Sequence, residues 1–320
     1  MKKLAAGIDI GGTNILLGLV NEKGEITERT SWKTTSFTLP EDWVFSASSF
    51  IREKLAQYPH VTFVGVGIGA PNGNVHSGSI EHAPNMPWKG IVPLAAMFEN
   101  SLSCKVVLTN DANAAALGEM LFGAAKNCRH FLYITLGTGL GSGIVVDGKL
   151  VYGHDGFAGE IGHVILFPDG RPCGCGRKGC VETYCSATAI KTTYAEIRQK
   201  NAHPAIPDAD AKYIYHRAIN GEKEAKQAFQ QTGEYLGLVL ANSVAYTSPE
   251  KIILFGGLTQ AGDLLMNPVK QSFEKNLLHN YKNKVTIAYS SLPENDAAIL
   301  GAASLLLTDY TTNNMYRHSN

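Results

Sequence analysis

Cys173-x-Cys175-x4-Cys180, with His163 upstream, offers three thiolates and an imidazole in a loop rich in glycine and proline. Such a donor set suits a four-coordinate Zn²⁺ with no open position, which makes the ion structural rather than catalytic. The competing reading is a free-thiol or disulfide loop. Six cysteines in 320 residues are too few for a disulfide scaffold, and three of them crowd into eight residues, which favours the metal. Glu160 and Glu182 bracket the cluster, so its expected role is to pin the loop that carries both carboxylates. Cys104, Cys128 and Cys185 have no such grouping and read as packing residues.

Two glycine turns are candidates for phosphate binding. Gly11 and Gly12 place bare backbone between two predicted strands, and Thr13 adds a hydroxyl. A plain hairpin turn would look the same, but Asp9 lies two residues ahead, where a strand-end carboxylate can hold Mg²⁺ beside a phosphate. Gly137, Gly139, Gly141 and Gly143 alternate, stripping side chains from one face of an extended segment that Thr135 and Thr138 adjoin. A strand predicted at Gly143 to Val146 follows, where a dinucleotide site would need a helix, and neither turn contains Gly-Lys-Ser/Thr. Gly256-Gly257, after the predicted strand Ile252 to Phe255, is a third candidate, for the adenosine end of a nucleotide, with a strand-to-helix turn as the alternative.

Asn110-Asp111 closes a predicted strand (Lys105 to Leu108) and opens a helix. Alone it reads more readily as a helix N-cap than as a catalytic pair. Its company changes that reading: Asp111, Glu160, His163 and Glu182 all sit beside glycine turns or the metal loop, and Asn85 lies in a loop of Pro and Asn. Hexose hydroxyls both donate and accept, so a sugar pocket needs this mixture of carboxylates, amide and imidazole, with Asp111 accepting the proton of the reacting hydroxyl.

The elements that must position these residues repeat. Strands at Ala5 to Ile10, Ile15 to Val20 and Glu25 to Thr30 form a meander, followed by a helix from Pro40 to about Tyr58, a strand at Val61 to Ile68, a loop over 71–87, a helix near Pro93 to Asn100, and an Ala-rich helix from about Ala112 to Ala125. The second half restarts with strands at His130 to Leu136, Gly143 to Val146 and Lys149 to Tyr152. Helices over 182–199 and 222–246, a strand at Lys251 to Phe255, a helix after Gly262, a strand at Lys284 to Tyr289 and a helix over 296–307 follow, with a polar, frayed tail over 309–320. A meander with a Gly/Thr turn that occurs twice predicts two similar α/β lobes and an interlobe cleft.

Twenty-eight basic against twenty-eight acidic residues supply no field for nucleic acid and no membrane patch. No run reaches the length of a membrane span, and Asp9 interrupts the apolar N-terminus before it could serve as a signal peptide, so a cytoplasmic protein with small-molecule partners is expected.

Together, Gly7-Ile8-Asp9-Ile10-Gly11-Gly12-Thr13-Asn14, Asn110-Asp111-Ala112-Asn113, the run from Thr135 to Gly143 leading to Gly159-Glu160-Ile161-Gly162-His163, and Cys173-x-Cys175-x4-Cys180-x-Glu182 resemble the ROK family of bacterial sugar kinases and repressors, most of all its glucokinases. The resemblance spans nearly the whole chain; the cysteine element with its downstream Glu is highly specific, and each glycine turn alone is not. It implies an α/β protein of the actin-like ATPase (hexokinase-type) fold, with a smaller lobe of residues 1–115 plus 297–320 and a larger lobe of 116–296 carrying the zinc loop. It further implies Zn²⁺ on His163, Cys173, Cys175 and Cys180, a sugar held by Asn85, Asn110, Asp111, Glu160, His163 and Glu182, ATP phosphates on Gly11, Gly12, Thr13, Thr135, Gly137 and Thr138, and a homodimer. The expected reaction is ATP- and Mg²⁺-dependent phosphorylation of a hexose, glucose at its 6-hydroxyl, with N-acetylglucosamine, N-acetylmannosamine, fructose and allose as alternatives; the loop at Pro71-Asn72-Gly73-Asn74 is where substrate choice could be made. A sugar-responsive regulator would need a DNA-binding helix-turn-helix ahead of Gly7, and an actin-like filament subunit would have no use for a zinc-pinned carboxylate loop.

Overall fold

The computed structural model describes the backbone of residues 2–315 and the side chains of residues 2–307. The predicted meander is present as β1 (Lys2–Ile10), β2 (Asn14–Asn21) and β3 (Ile26–Lys33). Helix α1 (Pro40–Leu55) starts on a proline, whose missing N–H is not needed in a first turn, and buries Trp43, Val44, Ala47 and Ile51 at helical spacing. After β4 (Val61–Ala70), the segment whose composition predicts only a loop forms a small antiparallel sheet of β5 (Gly73–Asn74), β6 (Ser79–Glu81) and β7 (Ile91–Val92). Then come α2 (Leu94–Leu102), β8 (Val106–Asn110) and α3 (Asp111–Phe122). The second half holds β9 (Phe131–Leu136), β10 (Leu140–Val146), β11 (Lys149–Leu150), α4 (Ala187–Lys200), α5 (Ala211–Ile219), α6 (Lys223–Thr247), β12 (Lys251–Phe255), α7 (Asp263–Asn276) and β13 (Thr286–Tyr289), before α8 (Glu294–Met315) closes the described chain.

The two large sheets share one plan. Their strand orders are β3-β2-β1-β4-β8 and β11-β10-β9-β12-β13. In each, the first strand pairs antiparallel with the second and parallel with a later one, β4 in one sheet and β12 in the other. The glycine turns predicted as equivalent occupy the equivalent β1–β2 and β9–β10 connections.

Several elements differ from expectation. Helix α4 begins at Ala187 rather than 182, because the Ser186 hydroxyl caps it by accepting the Ala189 N–H at 3.0 Å, which leaves Glu182 in a short 3-10 turn. Helix α5, capped by Asp210, was not expected. Strand β10 starts at Leu140, so of the four alternating glycines only Gly137 and Gly139 lie in the turn. Helix α8 continues through Met315, where polar composition predicts fraying, and the rest of that predicted tail, 316–320, lies outside the described residues.

The chain divides into two compact units, residues 1–127, 150–158 and 291–320, and residues 128–149 and 159–290. The expected divisions at 115/116 and 296/297 are displaced because α3 stays whole with the first unit, where Ala114 and Leu117 join Ile299, Leu300 and Ala303 of α8 in one apolar cluster. In that unit the alternation of β1 is decisive: Ala6, Ile8 and Ile10 face the core under α1 and α2, with Trp43 and Phe98 against them, while Ala5 faces α3 and α8. Helix α8 reaches the sheet backbone itself, since a Cβ at Gly67 would stand 1.9 Å from the Ala302 carbonyl oxygen. The second unit has its own core, joining Leu132 and Ile134 of β9, Ile252 and Leu254 of β12, Tyr194 of α4, Phe229 and Leu236 of α6, and Phe273 of α7. Among the described residues, no helix is long and apolar enough to cross a membrane.

Candidate active site

Strands β1, β4 and β8 run parallel, in a register that sets Asp9 beside Gly69, Gly69 beside Thr109 and Ala70 beside Asn110. Their carboxyl ends therefore finish together, and α3 begins there with Asp111. A Cβ at Gly69 would lie 3.4 Å from the Asp111 Cα and 3.9 Å from Asp9 Oδ1. With the Ala114 Cβ also 3.2 Å from that point, Gly69 lies between the Asp9 carboxylate and the first turn of α3, which Asp111 opens. Burial, and after it the charge of Asp111, pushes the Asp9 carboxyl up to about 7. Burial also raises Asp111, opposed by the Ala112 N–H that donates to its Oδ1 at 2.8 Å. Asp111 keeps an exposed surface although much protein surrounds it, so water tempers that upward push. The capping role is taken by Asn110, whose Oδ1 accepts the Asn113 N–H at 2.8 Å.

The turn between β1 and β2 is held by three bonds: Gly11 N–H to the Asn14 carbonyl (2.9 Å), Thr34 hydroxyl to the Gly11 carbonyl (2.6 Å) and Thr34 N–H to the Thr13 carbonyl (3.0 Å). Among the described residues these leave the amides of Gly12 and Thr13 to outside partners. Thr34 is fully buried and positions the turn, although nothing in its local sequence marks it. Gly12 backs onto Asn85, with the Asn85 carbonyl oxygen 3.2 Å from where a Cβ would sit. In the 71–74 loop, Asn72 and Asn74 donate to backbone carbonyls of Glu81 (3.0 Å) and Asp155 (2.9 Å), so Asn72 ties the loop to β6 and Asn74 ties it to the 150–158 segment.

In the second unit Phe255 pairs with Thr135, which brings Gly256 onto the backbone of Leu136. Gly256 has φ +103°, and a Cβ there would meet the Leu136 carbonyl oxygen at 2.7 Å, so both conformation and space require glycine. Thr138 and Gly257 line a cavity of about 680 Å³ together with Lys191, Tyr215, His216 and Gln260. None of the last four stood out in the sequence. Tyr215 and His216 lie on α5, which the Asp210 cap followed by Ile214 and Ala218 at helical spacing could have signalled.

One ligand atom from each of His163, Cys173, Cys175 and Cys180 falls within 4.8 Å of all the others. Cys175 Sγ and Cys180 Sγ are 3.6 Å apart, and Cys173 Sγ and His163 Nδ1 are 3.7 Å apart. Tetrahedral zinc with ~2.3 Å Zn–S bonds sets ligand separations of about 3.8 Å, so the cluster fits the ion. Arg177 donates to the His163 carbonyl (2.8 Å), and its guanidinium draws the Cys175 thiol down to about 6. Glu182 sits at the edge of this cluster, with Oε1 3.3 Å from Cys173 Sγ, and its Oε2 accepts the Leu140 N–H at 3.2 Å. Glu160 precedes the 3-10 turn Ile161–His163 and lines a second cavity, of about 430 Å³, with Val164, Ile165 and Tyr246. Of the remaining cysteines, Cys185 is buried in the second core, Cys104 packs against the first, and Cys128 is half-buried.

The ROK family profile matches residues 5–309. A glucokinase of Halalkalibacterium halodurans is 35% identical over 312 residues, covering 94% of each chain. A ROK hexokinase from Thermus thermophilus superposes with a TM-score of 0.82 at 27% identity, over 98% of this chain and 100% of that one. A ROK family glucokinase from Streptomyces griseus, in complex with glucose and AMPPNP, does so with a TM-score of 0.74 at 30% identity, over 95% and 99%. The twice-built sheet is that of the actin-like ATPase fold, as the sequence led us to expect. With its glycine turns, Asn-Asp pair and Cys/His cluster placed as described, this chain belongs to the ROK family.

Proposed function

We propose that this chain is an ATP-dependent hexose kinase that transfers the γ-phosphate to a sugar hydroxyl, with glucose at its 6-hydroxyl as the preferred acceptor. The observation that carries the reading is the placement of Asp9 and Asp111 about the bare Gly69, at strand ends that adjoin a glycine turn with two available amides. Phosphoryl transfer demands positioning and charge neutralisation more than covalent chemistry. Asp111 would orient the acceptor hydroxyl and take its proton as the new O–P bond forms. Amides of Gly12, Thr13, Thr138 and Gly139, with the Thr135 and Thr138 hydroxyls and the bare Gly137, whose own N–H is taken by the Gly139 carbonyl, would hold phosphate oxygens. The cavity beside Thr138, Gly256 and Gly257 would take the adenosine, whose base can lie against Tyr215. Asp9 would hold Mg²⁺, which when bound neutralises charge on the β- and γ-phosphates.

We assign the sugar's hydroxyls to Asn85, Asn110, Asp111, Glu160, His163 and Glu182. His163, Cys173, Cys175 and Cys180 would hold a structural Zn²⁺ that fixes the loop bearing Glu160 and Glu182. A homodimer is supported by the apolar side chains exposed around the smaller cavity, Val164, Ile165 and Tyr246, the last 89% exposed. An ADP-release assay across glucose, fructose, allose, N-acetylglucosamine and N-acetylmannosamine tests the reading. Sugar-dependent turnover, fastest with glucose, is expected; ATP hydrolysis indifferent to every sugar would overturn it, and preference for an N-acetylated hexose would move the substrate assignment.

A further inference from the structure

The segment that follows metal ligand Cys180 holds the 137–140 glycine turn at both ends. Ala187 N–H donates to the Gly137 carbonyl at 2.8 Å, and Glu182 Oε2 accepts the Leu140 N–H at 3.2 Å. Between them the segment is stiff. The Cys180 carbonyl accepts both the N–H (3.0 Å) and the hydroxyl (2.7 Å) of Thr183, the Val181 carbonyl accepts the amides of Tyr184 and Cys185 (2.9 Å each), and Cys180, Val181 and Cys185 are all fully buried. The carboxylate and the turn also fit closely, since a Cβ on Gly139 would stand 2.3 Å from Glu182 Oε2. Thr138, in the middle of the turn, and Ala187 and Thr188, at the end of the segment, line the same cavity.

We infer that Glu182 is a positioning residue for the nucleotide, tying the Cys/His cluster to the 137–140 turn so that occupation of the cluster by metal sets the affinity of the second unit for ATP. The link runs through Glu182 Oε2 and the backbone from Cys180 to Ala187, not through the Cys173 thiol, which as a metal-bound thiolate could not donate to Glu182. This rests on the reading of that turn as a phosphate site. An acceptor oxygen at position 182 is what the turn needs, so Glu182→Gln should keep the tether and Glu182→Ala should lose it.

The test measures MgATP binding by calorimetry without sugar, in zinc-loaded wild type, chelator-treated wild type, Glu182→Gln and Glu182→Ala, together with hydrogen exchange at the Leu140 amide. Expected are a roughly tenfold weaker Kd in Glu182→Ala and in the chelated protein, a Kd within about threefold of wild type in Glu182→Gln, and a smaller, less than additive loss when Glu182→Ala is chelated, through the remaining Ala187–Gly137 bond. Leu140 exchange should accelerate wherever the Kd rises. Unchanged MgATP affinity in Glu182→Ala, or in chelated wild type if the variant fails to fold, overturns the inference and leaves the kinase reading standing. Absence of MgATP binding by zinc-loaded wild type would instead remove the nucleotide reading beneath it.

Discussion

Asp9 gives the molecule a pH dependence that can be isolated. Its carboxyl sits at about 7 against an ordinary 3.8, through burial first and the neighbouring Asp111 second. The folded protein holds this proton more tightly than the unfolded chain does, so the stabilising contribution is complete below 3.8 and is lost as pH rises through about 7. At about 1.4 kcal/mol per pH unit the full interval amounts to roughly 4 kcal/mol. Asp9 retains some exposed surface, and about half of that, ~2 kcal/mol, is the realistic figure. The perturbation is Asp9→Asn, which keeps the shape and removes the titration. All three tryptophans, Trp32, Trp43 and Trp88, lie in the unit that contains Asp9, so urea unfolding followed by their fluorescence reports on that unit. Between about pH 5 and about pH 8 the stability of wild type relative to Asp9→Asn should fall by ~1–2 kcal/mol. A difference that stays flat over that range would refute the account of Asp9 as a carboxyl strained by burial.

Three further outcomes follow from the same structure. Asp111→Asn should lower kcat by roughly 10²–10⁴ while sugar affinity, read by calorimetry, is retained; near-normal turnover would exclude Asp111 as the base. Gly67→Ala should cost about 3 kcal/mol in urea unfolding, because its Cβ meets the Ala302 carbonyl, whereas Gly174→Ala, with open space around it, should stay within about 0.5 kcal/mol; equal effects would deny the close seating of α8. Purified protein should carry about one zinc per chain, and Cys175→Ser should weaken zinc binding by roughly 10²-fold or more with a lower melting temperature; equal metal content in the two would remove Cys175 from the ligand set.

The sequence by itself determined what repeats and what clusters. Alternating strands, glycines between them and closely spaced cysteines are local patterns, and local patterns survive in one dimension. Hence the doubled meander, the equivalence of the 11–13 and 137–139 turns and the Cys/His set were all legible. The family resemblance extended this to the fold and to Asp111 as the base, whereas Asn110-Asp111 taken alone read first as a cap, because a helix start looks the same in either role. Local propensity also misplaced Glu182 in a helix and missed α5, since Ser186 and Asp210 act as starts only where the chain around them leaves amides to cap. Only the tertiary structure decided which side chains meet. Strand register carries Asp9, Gly69 and the start of α3 to one sheet edge, and buried Thr34 fixes Gly11, 23 residues upstream of it in the chain. Glu182 reaches Leu140 across 42 residues for the same reason: such pairings are set by how sheets and helices close on one another, and that closure depends on the whole buried surface rather than on any stretch of sequence.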